Sequence, residues 1–315
     1  ARGISTELRA CLTSPIASRR RATFSARRTK KGATAGFHAR GSDVIVEIAN
    51  CQLLDADLVA ALPIIEAFAV IGTSRKSKLS AQVTASQAGL DIAIEGGKML
   101  DGPMHASLAQ ATETHQVARL TWNKEMIAMR HAPLQKFGVA SVVPPPGSFL
   151  QATKEGQDDL LKTVKTILSD AKRVVDLFSG CGTFSLPLAE TAEVHAVEVN
   201  KNMMAALDKG WRQAIGLKKV THEVRDLFRR PLLPDELDKF DTAIIDPPRA
   251  GADAQVSTLC KSKIKTIAYV SCNPVSFARD AALLVASGYD LRFVQTVDQF
   301  RWSSHTELVG GFFKA

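Results

Sequence analysis

The sequence predicts an α/β protein: a C-terminal doubly wound, mostly parallel sheet, preceded by a strand-rich α+β domain. Three observations carry this prediction. From Arg173 onward, short apolar runs alternate regularly with helical stretches, the repeat of βαβ units. Pro144-Pro145-Pro146-Gly147 continues neither a helix nor a strand, and divides the chain into domains at 1–146 and 147–315. The first C-terminal apolar run, Val174-Val175-Asp176-Leu177-Phe178, enters a glycine turn, Ser179-Gly180-Cys181-Gly182-Thr183-Phe184, of the kind that seats a ligand beyond a strand end.

In chain order, Ala22–Ala26 and Val44–Ile48 alternate with period two and read as strands, with a helix over Asp57–Phe68. The later strands are expected at Arg173–Phe178, Val194–Val199, Phe240–Ile245 and Thr266–Ser271. Helices are expected after each, at Thr183–Glu190, Lys201–Ala214, Ala254–Lys263 and Val275–Ser287. Asp290–Val297 and Glu307–Phe313 have no helix between them, which predicts an antiparallel hairpin closing the sheet. The chain begins at Ala1 and not Met, as expected of a processed or truncated sequence. Its Arg- and Ser-rich opening has the composition of a transit peptide, but Arg19–Phe24 run straight into a folded pattern.

The 315 residues suffice for full cores, and no apolar run reaches membrane-spanning length. A net charge of +8 without a basic amphipathic helix points to a polyanion such as nucleic acid and not to a membrane. Cys11, Cys51, Cys181, Cys260 and Cys272 are odd in number and widely spaced, so neither a disulfide framework nor a closed zinc site follows. A reducing, cytoplasmic setting is expected, with a monomer as the default.

Gly180 and Gly182 allow the backbone to approach a ligand closely, and the third glycine of the dinucleotide fingerprint is missing. A shorter turn suits a nucleoside cofactor without a pyrophosphate, such as S-adenosylmethionine. Glu198, ending the next strand, is placed to accept ribose hydroxyls, and Asp226 stands toward the adenine end.

Three further strings carry chemistry: Asp246-Pro247-Pro248-Arg249, Tyr269-Val270-Ser271-Cys272-Asn273-Pro274 and His305-Thr306-Glu307. Carbon 5 of uracil is a poor nucleophile until a thiolate adds at carbon 6. Cys272, just past a strand end, is the candidate thiol. A base must then remove the carbon-5 proton before the thiol can leave, and Glu307 is the candidate.

These strings, with Asp298–Glu307, resemble the signatures of the RNA 5-methyluridine methyltransferase family, which acts on tRNA or 23S ribosomal RNA. The resemblance implies a class I S-adenosylmethionine-dependent methyltransferase with a Rossmann-like catalytic domain. It further implies Cys272 as nucleophile, Glu307 as proton acceptor, and Gln151, Phe178, Thr183, Glu198 and Asp246 around the cofactor. Asp246 could instead accept the N3 proton of uracil. Arg19–Phe24, Gly36-Phe37-His38 and Cys51–Leu54 are similar to the 23S branch, which implies an RNA-contacting N-terminal domain and favours 23S rRNA over tRNA. In that branch Cys51 matches the last of four iron–sulfur ligands. The other three are not in this chain, so a cluster requires a preceding segment to supply them. Arg301 replaces the usual proline after Phe300, and Ser303 the usual threonine.

A stacked uracil hides carbon 6, so the target must be unpaired or turned out into a pocket. Phe149, Phe300, Trp302 and His305 are candidates to hold it. Arg19, Arg20 and Arg21, with Arg27-Arg28-Thr29-Lys30-Lys31, are candidate phosphate contacts. Two other readings remain: methylation of an exocyclic amine, in which Asp246 positions the substrate and Cys272 is idle, and a non-catalytic RNA-binding module.

Overall fold

The computed structural model describes residues 4–314 as two units. One contains the residues up to Ser14, Lys136–Val142 and everything from Glu155; the other contains Pro15–Gln135 and Val143–Lys154. The boundary therefore departs from a single cut at 146/147. Glu7–Leu8 and Leu12–Thr13 add parallel pairings to Asp290–Asp298, taking the chain's beginning into the C-terminal unit. The hairpin Gln135–Phe137/Ala140–Val142 crosses over as well, with Val139 N–H donating to the Glu190 carboxylate.

In the C-terminal unit, a nine-stranded sheet runs in the order Glu7–Leu8, Asp290–Asp298, Glu307–Phe313, Thr266–Ser271, Thr242–Ile245, Arg173–Leu177, Glu193–Glu198, Val220–Val224; Leu12–Thr13 completes it beside Asp290–Asp298. The strands from Thr266–Ser271 to Val220–Val224 are parallel. Glu307–Phe313 is antiparallel to both of its neighbours, as the predicted terminal hairpin requires. Strand order reverses on the two sides of Arg173–Leu177, where such a sheet opens a crevice at its carboxyl edge. Val175, Leu177, Val197, Ile245, Ile267 and Phe312 are buried in the core that fixes this edge.

Several predicted elements are shorter than expected: the strand at Val44–Ile48 is regular only at Ile45–Val46, and the helix at Ala254–Lys263 stops at Leu259. The helix expected over Thr183–Glu190 is regular only at Ser185–Leu188, because Gly182 has φ 97° and the chain turns away after Leu188 toward the strand at Glu193. The strand expected from Phe240 begins at Thr242, Phe240 N–H closing a turn on Leu237. A helix over Lys154–Ile167 was not foreseen, although Leu160, Val164 and Ile167 bury one face at helical spacing.

In the N-terminal unit, seven strands are ordered Ile45–Val46, Ala33–His38, Arg21–Arg28, Lys78–Ser86, Gly89–Glu95, Arg119–Trp122, Glu125–Met129. Only Gly89–Glu95 and Arg119–Trp122 pair in parallel. Phe24, Leu79 and Ile92 pack with Leu58, Ile65 and Phe68 of the helix Ala56–Gly72, which contains the predicted 57–68. The helix Gly102–Thr114, capped by Asp101, buries only Leu108 and Thr112, so its apolar periodicity was too thin to read. At the triple proline, Pro144 C=O accepts from the buried Arg119, which also pairs with Asp91. Among the described residues, no helix is long and apolar enough to cross a membrane.

Candidate active site

The glycine turn follows the Arg173–Leu177 strand at the point of order reversal. Phe178 (φ 65°), Gly180 (58°) and Gly182 (97°) all adopt left-handed backbone; for Phe178 this is strain of the kind that marks functional turns. A Cβ at Gly180 would meet nothing within 4 Å, leaving open space above the turn. Glu198 accepts from Gly180 N–H at 3.2 Å and from Asn200 N–H at 2.9 Å, so the predicted ribose acceptor is fixed by the turn it serves. Beneath them Asp176 is fully buried, and Ser185 Oγ donates to it. Desolvation raises its pKa to about 7. Asp176 Oδ1 and Ser179 Oγ are buried without a partner, polar atoms beside this turn with bonding capacity left.

Thr183 is half-buried. Asp226 accepts from Phe228 N–H at 3.0 Å, organising a local turn. Two further residues that the sequence reading missed lie near these acids. Phe228, 45% exposed, sets its ring 5.3 Å from that of Phe178, and Val199, 60% exposed, directly follows Glu198. Exposed apolar side chains beside acidic strand ends were the available signal.

The reactive strings meet at the same edge of the sheet. Cys272 follows the strand Thr266–Ser271, Asp246 follows Thr242–Ile245, and Glu307 begins the strand Glu307–Phe313. The register pairs Ser271 with Leu308, which brings the next residues, Cys272 and Glu307, abreast. On the other side Glu307 pairs with Val297. The groups act on one another: burial, then Glu307 and Asp246, push the Cys272 thiol up, with Arg249 opposing. Glu307 is 4% exposed; desolvation raises its pKa to about 7, against a lowering pull from Arg249. Asp246 is half-buried as a residue, yet burial of its carboxyl, then Glu307 and Asp176, hold it well above the usual carboxylate range.

Local structure explains why Cys272 is held here. Asn273 caps the helix Pro274–Ala286, accepting from Val275 N–H, with Pro274 at the first helical position where no N–H is needed. Cys272 therefore sits just outside a helix N-terminus, an environment that favours thiolate and offsets part of the carboxylate repulsion. Asn273 Nδ2 also donates to Arg249 C=O at 2.8 Å, tying the thiol's turn to the Asp246–Arg249 turn.

A second support was not read from the sequence. Asp280, fully buried, accepts from Tyr269 Oη (2.6 Å), Ala252 N–H (2.8 Å) and Arg279 Nε (2.8 Å), and Arg279 also donates to Ala250 C=O. Gly251 (φ 79°) lies against this group, where a Cβ would fall 2.7 Å from Asp280 Oδ2. The Ala250–Ala252 bend after the proline pair is thus anchored to the strand that leads into Cys272. Asp280→Ala leaves the buried Tyr269 hydroxyl and Ala252 N–H unpaired and is expected to cost about 2–4 kcal/mol in denaturant unfolding of this unit. Tyr269→Phe, which removes one bond, should cost about 1 kcal/mol.

Phe300 and His305 stack edge to face with centroids 6.2 Å apart, and Arg249 Nη2 lies 3.4 Å from His305 Nδ1. Trp302 is 72% exposed. Arg301, the departure from the usual proline, donates to Ser14 C=O and so ties this loop to the chain's opening segment.

The remaining predicted residues belong to the N-terminal unit. Gln151 is buried, its carbonyl accepting from Arg20 Nε, and the Arg21 guanidinium lies 4.8 Å from the centre of the exposed Phe149 ring. Arg19 donates to Arg21 C=O and Arg21 to Leu150 C=O, and burial pulls both pKa values down. Arg19–Arg21 are therefore half-buried ties within the unit, unlike the exposed Arg27–Lys31 hairpin. Among the described residues no group of three or more His, Cys, Asp or Glu could hold a metal.

Comparison with known proteins agrees with this geometry. Residues 144–314 match the family model described as tRNA (uracil-5-)-methyltransferase. An uncharacterised RNA methyltransferase of Rhizobium meliloti is 41% identical over 98% of this chain and 74% of its own. The 23S rRNA (uracil(1939)-C(5))-methyltransferase RlmD of Shewanella halifaxensis is 33% identical over 90% of this chain and 65% of its own. In fold, the chain is similar to the Pyrococcus abyssi tRNA (uracil-54, C5)-methyltransferase solved with S-adenosyl-L-homocysteine: TM-score 0.76, 22% identity, 98% of this chain and 79% of that one. With the uracil-5 signature strings gathered on one edge of a doubly wound sheet, this chain belongs to the tRNA (uracil-5-)-methyltransferase family.

Proposed function

We propose that the protein methylates carbon 5 of a uridine in structured RNA, with 23S rRNA as the favoured substrate. The observation that carries the reading is the Ser271–Leu308 register, which sets Cys272 beside Glu307 at the carboxyl edge of the sheet. The cofactor is S-adenosylmethionine, which supplies an electrophilic methyl group when bound. The residues present suit it: Gly180 leaves room for close approach, Gly182 lets the turn pack against Leu186 and Leu207, Glu198 offers carboxylate oxygens to ribose hydroxyls, and Phe178, Val199 and Phe228 offer apolar surface to adenine. Ser179 Oγ and Asp176 Oδ1 have bonding capacity left for polar groups.

In this reading Cys272 Sγ, as thiolate, bonds to carbon 6 of the uracil, and the displaced electron pair makes carbon 5 nucleophilic. Once carbon 5 carries both methyl and proton, Glu307 takes the proton. The electron pair left behind reforms the ring double bond and expels Sγ. Asp246, pushed toward its acid form by burial and its acidic neighbours, stands beside both to hydrogen-bond the ring's polar edge. Phe300, His305 and the exposed Trp302 are placed on the loop before Glu307 to replace lost base stacking.

The preference for 23S rRNA rests on the similarity to RlmD and on the N-terminal motifs; the tRNA relatives keep tRNA as the alternative. The test incubates the protein with methyl-labelled S-adenosylmethionine and unmodified total RNA, then maps the label. 5-Methyluridine in 23S rRNA supports the whole reading. 5-Methyluridine in tRNA alone overturns the substrate and keeps the chemistry, whereas label on an exocyclic amine, or none, overturns the chemistry.

A further inference from the structure

The N-terminal unit gathers positive charge at one end of its sheet, and the register shows how. Arg27 pairs with Lys78, Ser80 with Glu95, Ile94 with Trp122, and Trp122 with Glu125. The turn 29–32, the loops 73–77 and 96–98 and the turn 123–124 therefore all project from that end, although long stretches of sequence separate them. Each contributes exposed cations. The hairpin carries Arg27, Arg28, Lys30 and Lys31; the loop entering the next strand carries Arg75 and Lys76 ahead of Lys78; the remaining two carry Lys98 and Lys124. Carboxylates near this end are fewer: Asp43, Glu95, Asp101 and Glu125. Asp101 caps its helix, and Asp43 pairs with Lys78, which alone among these basic residues has an ion-pair partner among the described residues. A row of unpaired cations costs self-repulsion, which a bound polyanion relieves.

The row crosses six adjacent strands, from Ala33–His38 to Glu125–Met129, a span of about 24 Å at ordinary strand spacing. Tight turns hold the cations on rigid backbone, Thr29 N–H closing on Gly32 and Asn123 N–H on Ile94. The adjoining face of the sheet presents the exposed Thr23 and Ser80, hydroxyl groups able to donate to phosphate oxygens. Lysines and arginines in a row with few aromatics suit a sugar-phosphate backbone better than base reading.

We propose that this end of the N-terminal sheet is a phosphate-backbone track for the RNA substrate, read without regard to base sequence. The proposal rests on the RNA-substrate reading above and adds the surface that supplies affinity. The exposed hairpin, not Arg19–Arg21, is then the phosphate contact within the Arg19–Lys31 region.

The test measures binding of a fluorescein-labelled unmodified RNA stem-loop over a salt series, which needs no methyl transfer and so fails or succeeds independently of the chemistry. Two double variants remove cations from separate turns, Lys30→Ala with Lys31→Ala, and Arg75→Ala with Lys76→Ala. Lys218→Ala with Lys219→Ala, exposed in the C-terminal unit, is the charge-matched control. Each track variant should flatten the slope of log affinity against log salt by about 2 and weaken binding on the order of tenfold near physiological salt. The control should change neither. Unchanged slopes in track variants with unaltered thermal unfolding would overturn the proposal, as would an equal loss in the control, which would reduce the effect to net charge.

Discussion

Replacing Cys272 by alanine is expected to lower RNA methylation by at least about 10⁴-fold, to background. The magnitude follows from the chemistry, since without a bond at carbon 6 the pyrimidine carbon has almost no nucleophilicity and the rest of the site has nothing to stabilise. The fold should survive: the side chain is small and half-buried, and the helix cap beside it is made by Asn273. RNA containing 5-fluorouridine separates a lost nucleophile from lost binding. Fluorine cannot leave carbon 5 as a proton would, so the wild type accumulates a protein–RNA adduct stable to denaturing electrophoresis, and the alanine variant forms none. Adduct formation by the variant would place the nucleophile elsewhere.

Glu307→Gln should slow turnover by about 10³-fold, within the range for loss of a general base. It should also change what accumulates: with natural uridine RNA the variant should trap the methylated adduct on Cys272, because carbon 5 keeps its proton. The pH dependence carries an independent signature. Burial raises the Glu307 pKa to about 7, so its basic form disappears as pH falls through that value. Wild-type turnover should therefore fall off as pH drops through about 7, and the glutamine variant should lack that limb. The Cys272 thiol, also pushed up, contributes its own rise at higher pH; the rate of 5-fluorouridine adduct formation, which needs thiolate and no base, isolates it. A glutamine variant that releases methylated RNA with unchanged pH dependence would remove Glu307 from the reaction.

What the sequence disclosed and what it withheld differ in range. Tyr269–Pro274 was readable because its signals are local: an apolar strand stops at Ser271, Asn caps, and Pro opens a helix. Thr266–Ser271 and Glu307–Phe313 match their predicted spans for the same reason. Asp280 was invisible, since an acid on a helix reads as a solvated face until the fold brings Tyr269 and Ala252 onto it. The short Glu7–Leu8 strand was equally hidden, because two residues acquire a strand's geometry only from a partner near the other terminus. Arg301 departs from the family pattern, and its bond to Ser14 C=O is a local use of the side chain that a proline could not have. The cation row illustrates the same limit: its members are scattered from Arg27 to Lys124 and become neighbours only through strand register.

The insertion of Glu307–Phe313 between two antiparallel partners has an implication for how this protein can vary. Because backbone ladders on both flanks fix where Glu307 begins, the preceding segment 299–306 is at liberty to lengthen, shorten or change composition while the carboxylate stays put. A slip of a single residue within the ladder, by contrast, would turn that carboxylate to the opposite side of the sheet. Substrate preference can thus diverge in the loop while the reaction itself is inherited unchanged.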